Sequence, residues 1–398
     1  MGRYHPLRGR RYRRATVPAA ATLLLAALCA GTAPDRQATT PVRQDFDTAT
    51  VERLDAALTK IMKDAGIPGL NVGVWIPGRG AYARSFGVAD KKTGAPMKTD
   101  LYARIGSVTK PFTVTAVLQL VDQGKVGLDD PISRYVTGVP GGENVTVRQL
   151  AEMRSGLFNY TEDEKWLAGL KADPHRAYVP RRLLDIAFSH PPNFKPDAKW
   201  QYSNTNTILL GMLVEKVSGQ SLGDFLQEHV FTPLKLNSTS LPTDSVVPDP
   251  HAHGYSSFTP DGSVTDATNW DPSWGWAAGA IISNLDDLRT WAPALVDGRL
   301  LSKKTQAERL RTLPTGFPEI SYGLGILNTN GWLGHNGEIP GYESIAAQLP
   351  AEKASLVVLV TSDVDYNGKN LSSLVGNAVT SIVTPDHLWP APVPTAPE

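Results

Sequence analysis

The chain has 398 residues, 41% of them hydrophobic, and balances 39 Lys and Arg against 39 Asp and Glu, so it can bury a large core and carries no net charge. Six arginines and no acid stand in residues 1–14; without those six the formal charge falls from 0 to −6, which leaves no basic footprint for nucleic acid or anionic lipid. A single cysteine, Cys29, excludes an internal disulfide framework.

The arginines are followed by the apolar run "ATVPAAATLLLAALCA" and small residues to Ala33, the pattern of a secretory signal peptide over residues 1–33. The run is too short and alanine-rich to span a membrane. "RRYRRAT" is a poor twin-arginine signal, and Leu28 stands where a lipoprotein cleavage site before Cys29 needs a small residue. Cleavage near Ala30 to Ala33 is expected to release a cysteine-free, extracytoplasmic protein with no stable membrane span.

After a polar linker, "TVERLDAALTKIMKDAG" has the period of a solvent-facing helix closed by Gly66. "LNVGVWI" and "AYARSFGVAD" read as a hairpin joined at Pro77 to Gly80. An apolar helix begins at Ser107 and stops at Gly124. From Leu128 to about Leu300 the pattern is helical and broken by Gly and Pro. Beyond it lie the β-like runs "YGLGILN", "GWLGHNG", "ESIAAQLP" and "SLVVLVTSD", then a helix from about Leu371 to Val383.

Strands at both ends with helices between predict an α/β (α+β) fold, an antiparallel sheet flanked by helices with an inserted helical domain. Residues 48–106 and 301–385 are assigned to a discontinuous sheet-and-helix domain, 107–300 to the mostly helical domain, and 386–398 to a loose Pro-rich tail.

In "RIGSVTKPFTVTAVLQLV", Ser107 stands three residues before Lys110 at the mouth of the helix. A serine there is ordinarily an N-cap. Residues three apart also share a helix face, so the amine can reach the hydroxyl and form a nucleophile with a base. Two further segments accompany the pair: "YSN", Tyr202 to Asn204, and "GHNG", Gly334 to Gly337.

Together, in this order, these motifs resemble those of the serine penicillin-recognising hydrolases, the superfamily of DD-peptidases, class C β-lactamases and related esterases. The resemblance runs from about Leu54 to Asp363. "TVRQLAEMRSGL" departs from the family pattern by placing Met153 and Arg154 where His-Thr is usual, and Asp197 in "FKPDAKW" stands where glycine is usual.

The resemblance implies a β-lactamase/transpeptidase-like fold and an acyl-enzyme on Ser107, with no metal or other cofactor. The base is Lys110, whose pKa must fall from about 10.4 toward roughly 7–8, or Tyr202 as a phenolate; the sequence leaves both open. By the same resemblance, Asn204 holds substrate and Lys110, and His335 relays a proton or polarises Tyr202. The Ser107 and Glu338 N–H groups form the oxyanion hole. Gly337, Asn336 and Trp274 line the substrate cleft.

The first expectation is a secreted D-alanyl-D-alanine carboxypeptidase acting on peptidoglycan stem peptides, with β-lactams as inhibitors and no nucleic-acid partner. Against it, "YGLGILNTNGWLGHNG" lacks the arginine that carboxylate-binding relatives carry before the third motif. Asn336 replaces their hydroxyl residue, and Glu338 adds a negative charge that repels a carboxylate. An esterase or amidase of the same fold, whose substrate is neutral or carries an amine near Glu338, is the alternative, followed by a β-lactamase and a non-turnover penicillin or peptidoglycan sensor.

Two other signals compete. "GQSLG" matches a nucleophile elbow at Ser221, but helical segments surround it, so Ser221 is read as an N-cap. His251 and His253 in "HAHG" share one side of an extended segment with only Asp249 nearby, and no metal site is assigned.

Overall fold

The computed structural model describes residues 45–390; the signal segment, Cys29 and residues 391–398 lie outside them. The chain starts with helix α1 (Thr48–Ala65), capped by the Asp47 side chain at one end and by left-handed Gly66 at the other. Strands β1 (Gly69–Ile76) and β2 (Gly80–Gly87) follow as a hairpin.

The remaining strands of the large sheet come from the C-terminal third. They are β3 (Leu313–Pro314), β4 (Ile320–Tyr322), β5 (Leu327–Thr329), β6 (Trp332–Ile339), β7 (Tyr342–Leu349) and β8 (Ala354–Val360). Their order is β2-β1-β8-β7-β6-β5-β4-β3, every neighbour antiparallel. The sheet is thus built from both ends of the chain, with β8 beside β1. Val358 stands between Val72 and Ile345, and β1, β7 and β8 are buried throughout.

Helices cover both faces. Leu54 and Leu58 of α1 and Val375 and Val379 of the C-terminal helix (Leu371–Val383) pack on Leu70, Val72, Leu356 and Val358. On the other face, Trp75, Ala346, Val357 and Leu359 join the core of the helical segment. That core holds α2 (Thr109–Asp122), α3 (Asn204–Ser218) and α4 (Leu285–Asp297), with Phe112 of α2 stacked on Trp291 of α4 at 3.7 Å. The C-terminal helix is α5.

Three local readings change. Ser107 belongs to a short 3-10 turn (Gly106–Val108) that runs into α2, and its side chain makes no cap. "YGLGILN" divides into β4 and β5 around Gly325, whose φ of 65° and contact with Val114 favour glycine. The start of the proline-rich tail is docked: Trp389 is buried over Gly376, its backbone N–H donates to Thr380 Oγ1 at 2.9 Å, and Asn377 Nδ2 donates to its carbonyl at 2.7 Å. A large aromatic side chain and an N–H with a ready acceptor outweigh the flanking prolines. Among the described residues no helix is long and apolar enough to cross a membrane.

Candidate active site

The Ser107 turn is wedged between α2 and the edge of β6. β5 pairs β6 only at Trp332 to Gly334, so the later residues of β6 have one edge turned toward residues 105–107. The approach is too close for side chains. A Cβ on Gly337 would lie 2.0 Å from the Ile105 carbonyl oxygen and 2.9 Å from the Ser107 nitrogen. A Cβ on Gly106, at φ 50°, would lie 2.5 Å from the Glu338 nitrogen. These two glycines bring the Ser107 and Glu338 backbone nitrogens to one place, and Ser344 Oγ secures the turn by donating to Ile105 O at 2.8 Å.

Lys110, one helical turn on, is fully buried while Ser107 is half-buried. Its Nζ lies 2.9 Å from Ser107 Oγ, 2.7 Å from Asn204 Oδ1 and 2.9 Å from Ala278 O, and 4.7 Å from the centre of the Tyr202 ring. Burial pushes the ammonium well below its usual pKa. Asn204 Oδ1 and Ala278 O only accept hydrogen bonds. In the neutral amine they fix both N–H groups, and the lone pair is left for the one partner that can donate, the Ser107 hydroxyl.

Asn204 opens α3 and is itself oriented from a distance. Its backbone N–H donates to Asn159 Oδ1 at 3.0 Å and its Nδ2 to Thr161 Oγ1 at 3.2 Å. Asn159 thus satisfies the first N–H of α3, and the Ser203 hydroxyl makes no cap. The α2 side is tied to the segment that presents Ala278: Thr113 Oγ1 donates to Ala277 O at 2.7 Å, and Ile281 N–H to Thr109 Oγ1 at 3.1 Å.

Tyr202 precedes Ser203 and faces the same space. Burial raises the phenol pKa above its ordinary value; a hydrogen bond with Ser107 offsets this in part, and the Glu338 charge adds to it. His335 lies beside it, ring centres 6.2 Å apart, but its Nε2 meets the Tyr322 hydroxyl at 3.1 Å and its Nδ1 meets the Asn336 carbonyl. Burial and the Lys110 charge lower His335 to about 3, so the imidazole is neutral.

Glu338 is exposed at the mouth of the site and accepts from Asn370 Nδ2 at 3.3 Å; among the described residues it has no ion-pair partner. Partial removal from water nevertheless raises its carboxyl pKa. Asn336 is half-buried on the same strand. Trp274 is half-buried against Ala103, Ile339 and Tyr342, and its carbonyl accepts from the Tyr160 hydroxyl at 2.5 Å.

Ser107, Lys110, Tyr202, Asn204, Gly337 and Glu338 therefore converge on one point, with His335 behind Tyr202 and Trp274 near the end of β6. Sequence patterns did not single out Asn159 or Tyr322; each reads as an ordinary loop or strand residue until the fold brings it across.

The sequence profile described as Beta-lactamase matches residues 54–372. The chain belongs to the beta-lactamase family. Among its relatives, a penicillin-binding protein of Bacillus subtilis (strain 168) is 28% identical over 306 residues, 71% of this chain and 66% of that protein, just under two thirds of the relative's length. A D-aminopeptidase of Brucella anthropi is 28% identical over 361 residues, 86% of this chain and 66% of its own. The solved structure of a D-stereospecific amidohydrolase from Streptomyces sp. superposes with a TM-score of 0.76 at 32% identity, over 84% of this chain and 98% of that one.

The beta-lactamase-family chain keeps its competing signals apart from the centre. Ser221 Oγ accepts from Asp224 N–H at 3.1 Å as the cap of a short helix (Leu222–Leu226). His253 Nδ1 lies 2.7 Å from Asp266 and His251 Nδ1 3.0 Å from Asp249; among the described residues no three metal-ligating side chains gather.

Proposed function

We propose that this serine hydrolase is an amidohydrolase that forms an acyl-enzyme on Ser107 and favours D-aminoacyl amides or peptides carrying a protonated amine over substrates ending in a free carboxylate. Neutral Lys110 accepts the Ser107 proton as Oγ bonds to the substrate carbonyl carbon. The oxyanion is held by the Ser107 and Glu338 N–H groups; losing one such donor typically costs about 10²–10³ in turnover. The neutral Tyr202 phenol, re-protonated from Lys110, passes a proton to the leaving nitrogen as the C–N bond breaks. Water then enters by the reverse relay, releasing the acid and restoring the serine. Asn204 orients Lys110 and substrate, and Trp274 and Asn336 line the cleft.

The carrying observation is Glu338: a carboxylate with no cationic partner among the described residues, adjoining the proposed oxyanion donor, favours a cation and repels an anion. The D-aminopeptidase and D-stereospecific amidohydrolase relatives support the substrate class. D-alanyl-D-alanine carboxypeptidase activity is the second reading, supported by the penicillin-binding relative and weakened by the same carboxylate. The arginine-rich leader supports export.

The test compares kcat/KM for D-alaninamide, for an N-acylated peptide ending in D-alanyl-D-alanine and for nitrocefin, with Ser107→Ala as control. A clear preference for the amide is expected. Faster release of D-alanine from the acylated peptide, or faster nitrocefin turnover, overturns the proposal.

A further inference from the structure

His335 has two ring nitrogens and almost no access to water, so both must be satisfied by protein. The Asn336 carbonyl beside Nδ1 has no proton to give. Nδ1 therefore carries the hydrogen and donates it, which leaves Nε2 with its lone pair in the neutral ring. The group at Nε2 is the Tyr322 hydroxyl, 3.1 Å away, and only as a donor can it satisfy that nitrogen.

Tyr322 is fully buried on β4, two strands from β6, with its ring edge-on to the imidazole at 5.9 Å and 86°. On the other side stands Tyr202, its ring centre 6.2 Å from the imidazole. Trp200 fills the corner, 6.4 Å from Tyr202 and 6.0 Å from Tyr322. The titratable groups around the ring are thus Lys110 from α2, Tyr202 from the segment before α3 and Tyr322 from β4.

We infer that Tyr322 is a positioning residue for the reaction at Ser107: by donating to Nε2 it occupies the His335 lone pair, so the Tyr202 phenol keeps its proton for the serine and the leaving group. With that donor removed, Nε2 becomes the strongest acceptor beside Tyr202. The phenol then turns toward the imidazole and away from Ser107, and the ring is also easier to protonate because the hydrogen bond that favoured its neutral form is gone. The inference rests on acyl transfer at Ser107 and is independent of substrate class.

Tyr322→Phe keeps the ring and deletes the donor. The expected result is a fall in kcat of at least about tenfold with KM little changed, and a His335 ring that takes up its proton at a higher pH than in the wild type. Heteronuclear NMR of the histidine ring provides a readout that does not depend on turnover. The wild-type protein is expected to show His335 as the Nδ1–H tautomer, with Nε2 unprotonated down to about pH 4. An Nε2–H tautomer in the wild type, or a folded Tyr322→Phe with unchanged kcat and unchanged His335 titration, overturns the inference. A Tyr322→Phe that fails to fold leaves the wild-type tautomer to decide it. Full activity in Ser107→Ala would instead remove the acyl-transfer reading itself.

Discussion

Arg154 and Asp197, two of the residues that depart from the family pattern the sequence resembles, hold each other. The guanidinium donates through Nε to Asp197 Oδ1 and through Nη2 to the Asp197 carbonyl, both at 3.0 Å, while Gln149 Nε2 donates to the second carboxylate oxygen at 2.9 Å. Asp197 has a φ of 66°, the left-handed region that accounts for the family's glycine. The pair is solvent-accessible, so its charge interaction alone contributes under about 1 kcal/mol. Asp197→Ala loses the two side-chain bonds, keeps the one to its carbonyl and keeps the strained backbone, for an expected cost of about 1–2 kcal/mol. Asp197→Gly loses the same bonds and relieves the strain, so it should melt higher than the alanine variant. Thermal melts of the two settle the order; an alanine variant that melts higher removes the strain argument.

The serine assignment is tested by two substitutions. Ser107→Ala should lower kcat by at least about 10³-fold without changing the melt appreciably. Ser221→Ala should leave kcat unchanged and cost about 1 kcal/mol of stability, because that hydroxyl caps a helix. The opposite pattern in kcat would transfer the chemistry to Ser221.

How much of this was legible follows from how far apart in sequence the partners lie. Ser107 and Lys110 are one helical turn apart, and their contact follows from helix geometry before any tertiary structure exists. The sheet built from both termini was legible from strand patterns at each end, as was α5. Asn159 capping α3 across 45 residues was not, since nothing local in the sequence links the two segments. Tyr322 and His335 are joined by a sheet order that places β4 two strands from β6, which depends on a turn at Gly325 that strand periodicity had smoothed over. The compensating pair of departures, 43 residues apart, read as two unrelated oddities.

Lys110 sets the expected pH dependence of turnover. In the proposed mechanism its neutral form is the competent base, and burial places its pKa well below the ordinary lysine value. The kcat/KM profile should therefore rise with pH through that lowered pKa and be flat well before pH 10. Lys110→Arg keeps a cation that cannot lose its proton, and kcat/KM should fall by at least about 10²-fold. An acid limb at the ordinary lysine value would give the base to another group.

On β7, Glu343 pairs directly across from Glu338 of β6 and accepts from the Ser372 N–H at 2.7 Å. Burial, then the Glu338 charge, pushes its carboxyl up to about 8. The folded state thus holds a proton that the unfolded chain releases near pH 4. Its stabilising contribution is complete below about pH 4 and is lost as pH rises toward 8, with a slope of at most about 1.4 kcal/mol per pH unit. Glu343→Gln should flatten that part of the stability–pH curve, measured by chemical unfolding at each pH. An identical slope in the variant would assign it elsewhere, Asp363 at about 7 being the next group.

Glu338 separates substrate recognition from chemistry because its two contributions come from different atoms. In the proposed reaction the backbone N–H serves the oxyanion and survives any side-chain change other than proline, while the carboxylate serves only the substrate's charge. Glu338→Gln should therefore leave the turnover of a short neutral p-nitrophenyl ester within about twofold, while kcat/KM for D-alaninamide falls by about 10–100-fold, the equivalent of about 1.5–3 kcal/mol for a charge-assisted bond. The same change should improve hydrolysis of a substrate with a free carboxylate, since the repulsion is gone. Equal losses on ester and amide would mean that the carboxylate acts through the geometry of β6 and not through a cation on the substrate. An unchanged amide rate would place the amine elsewhere in the cleft.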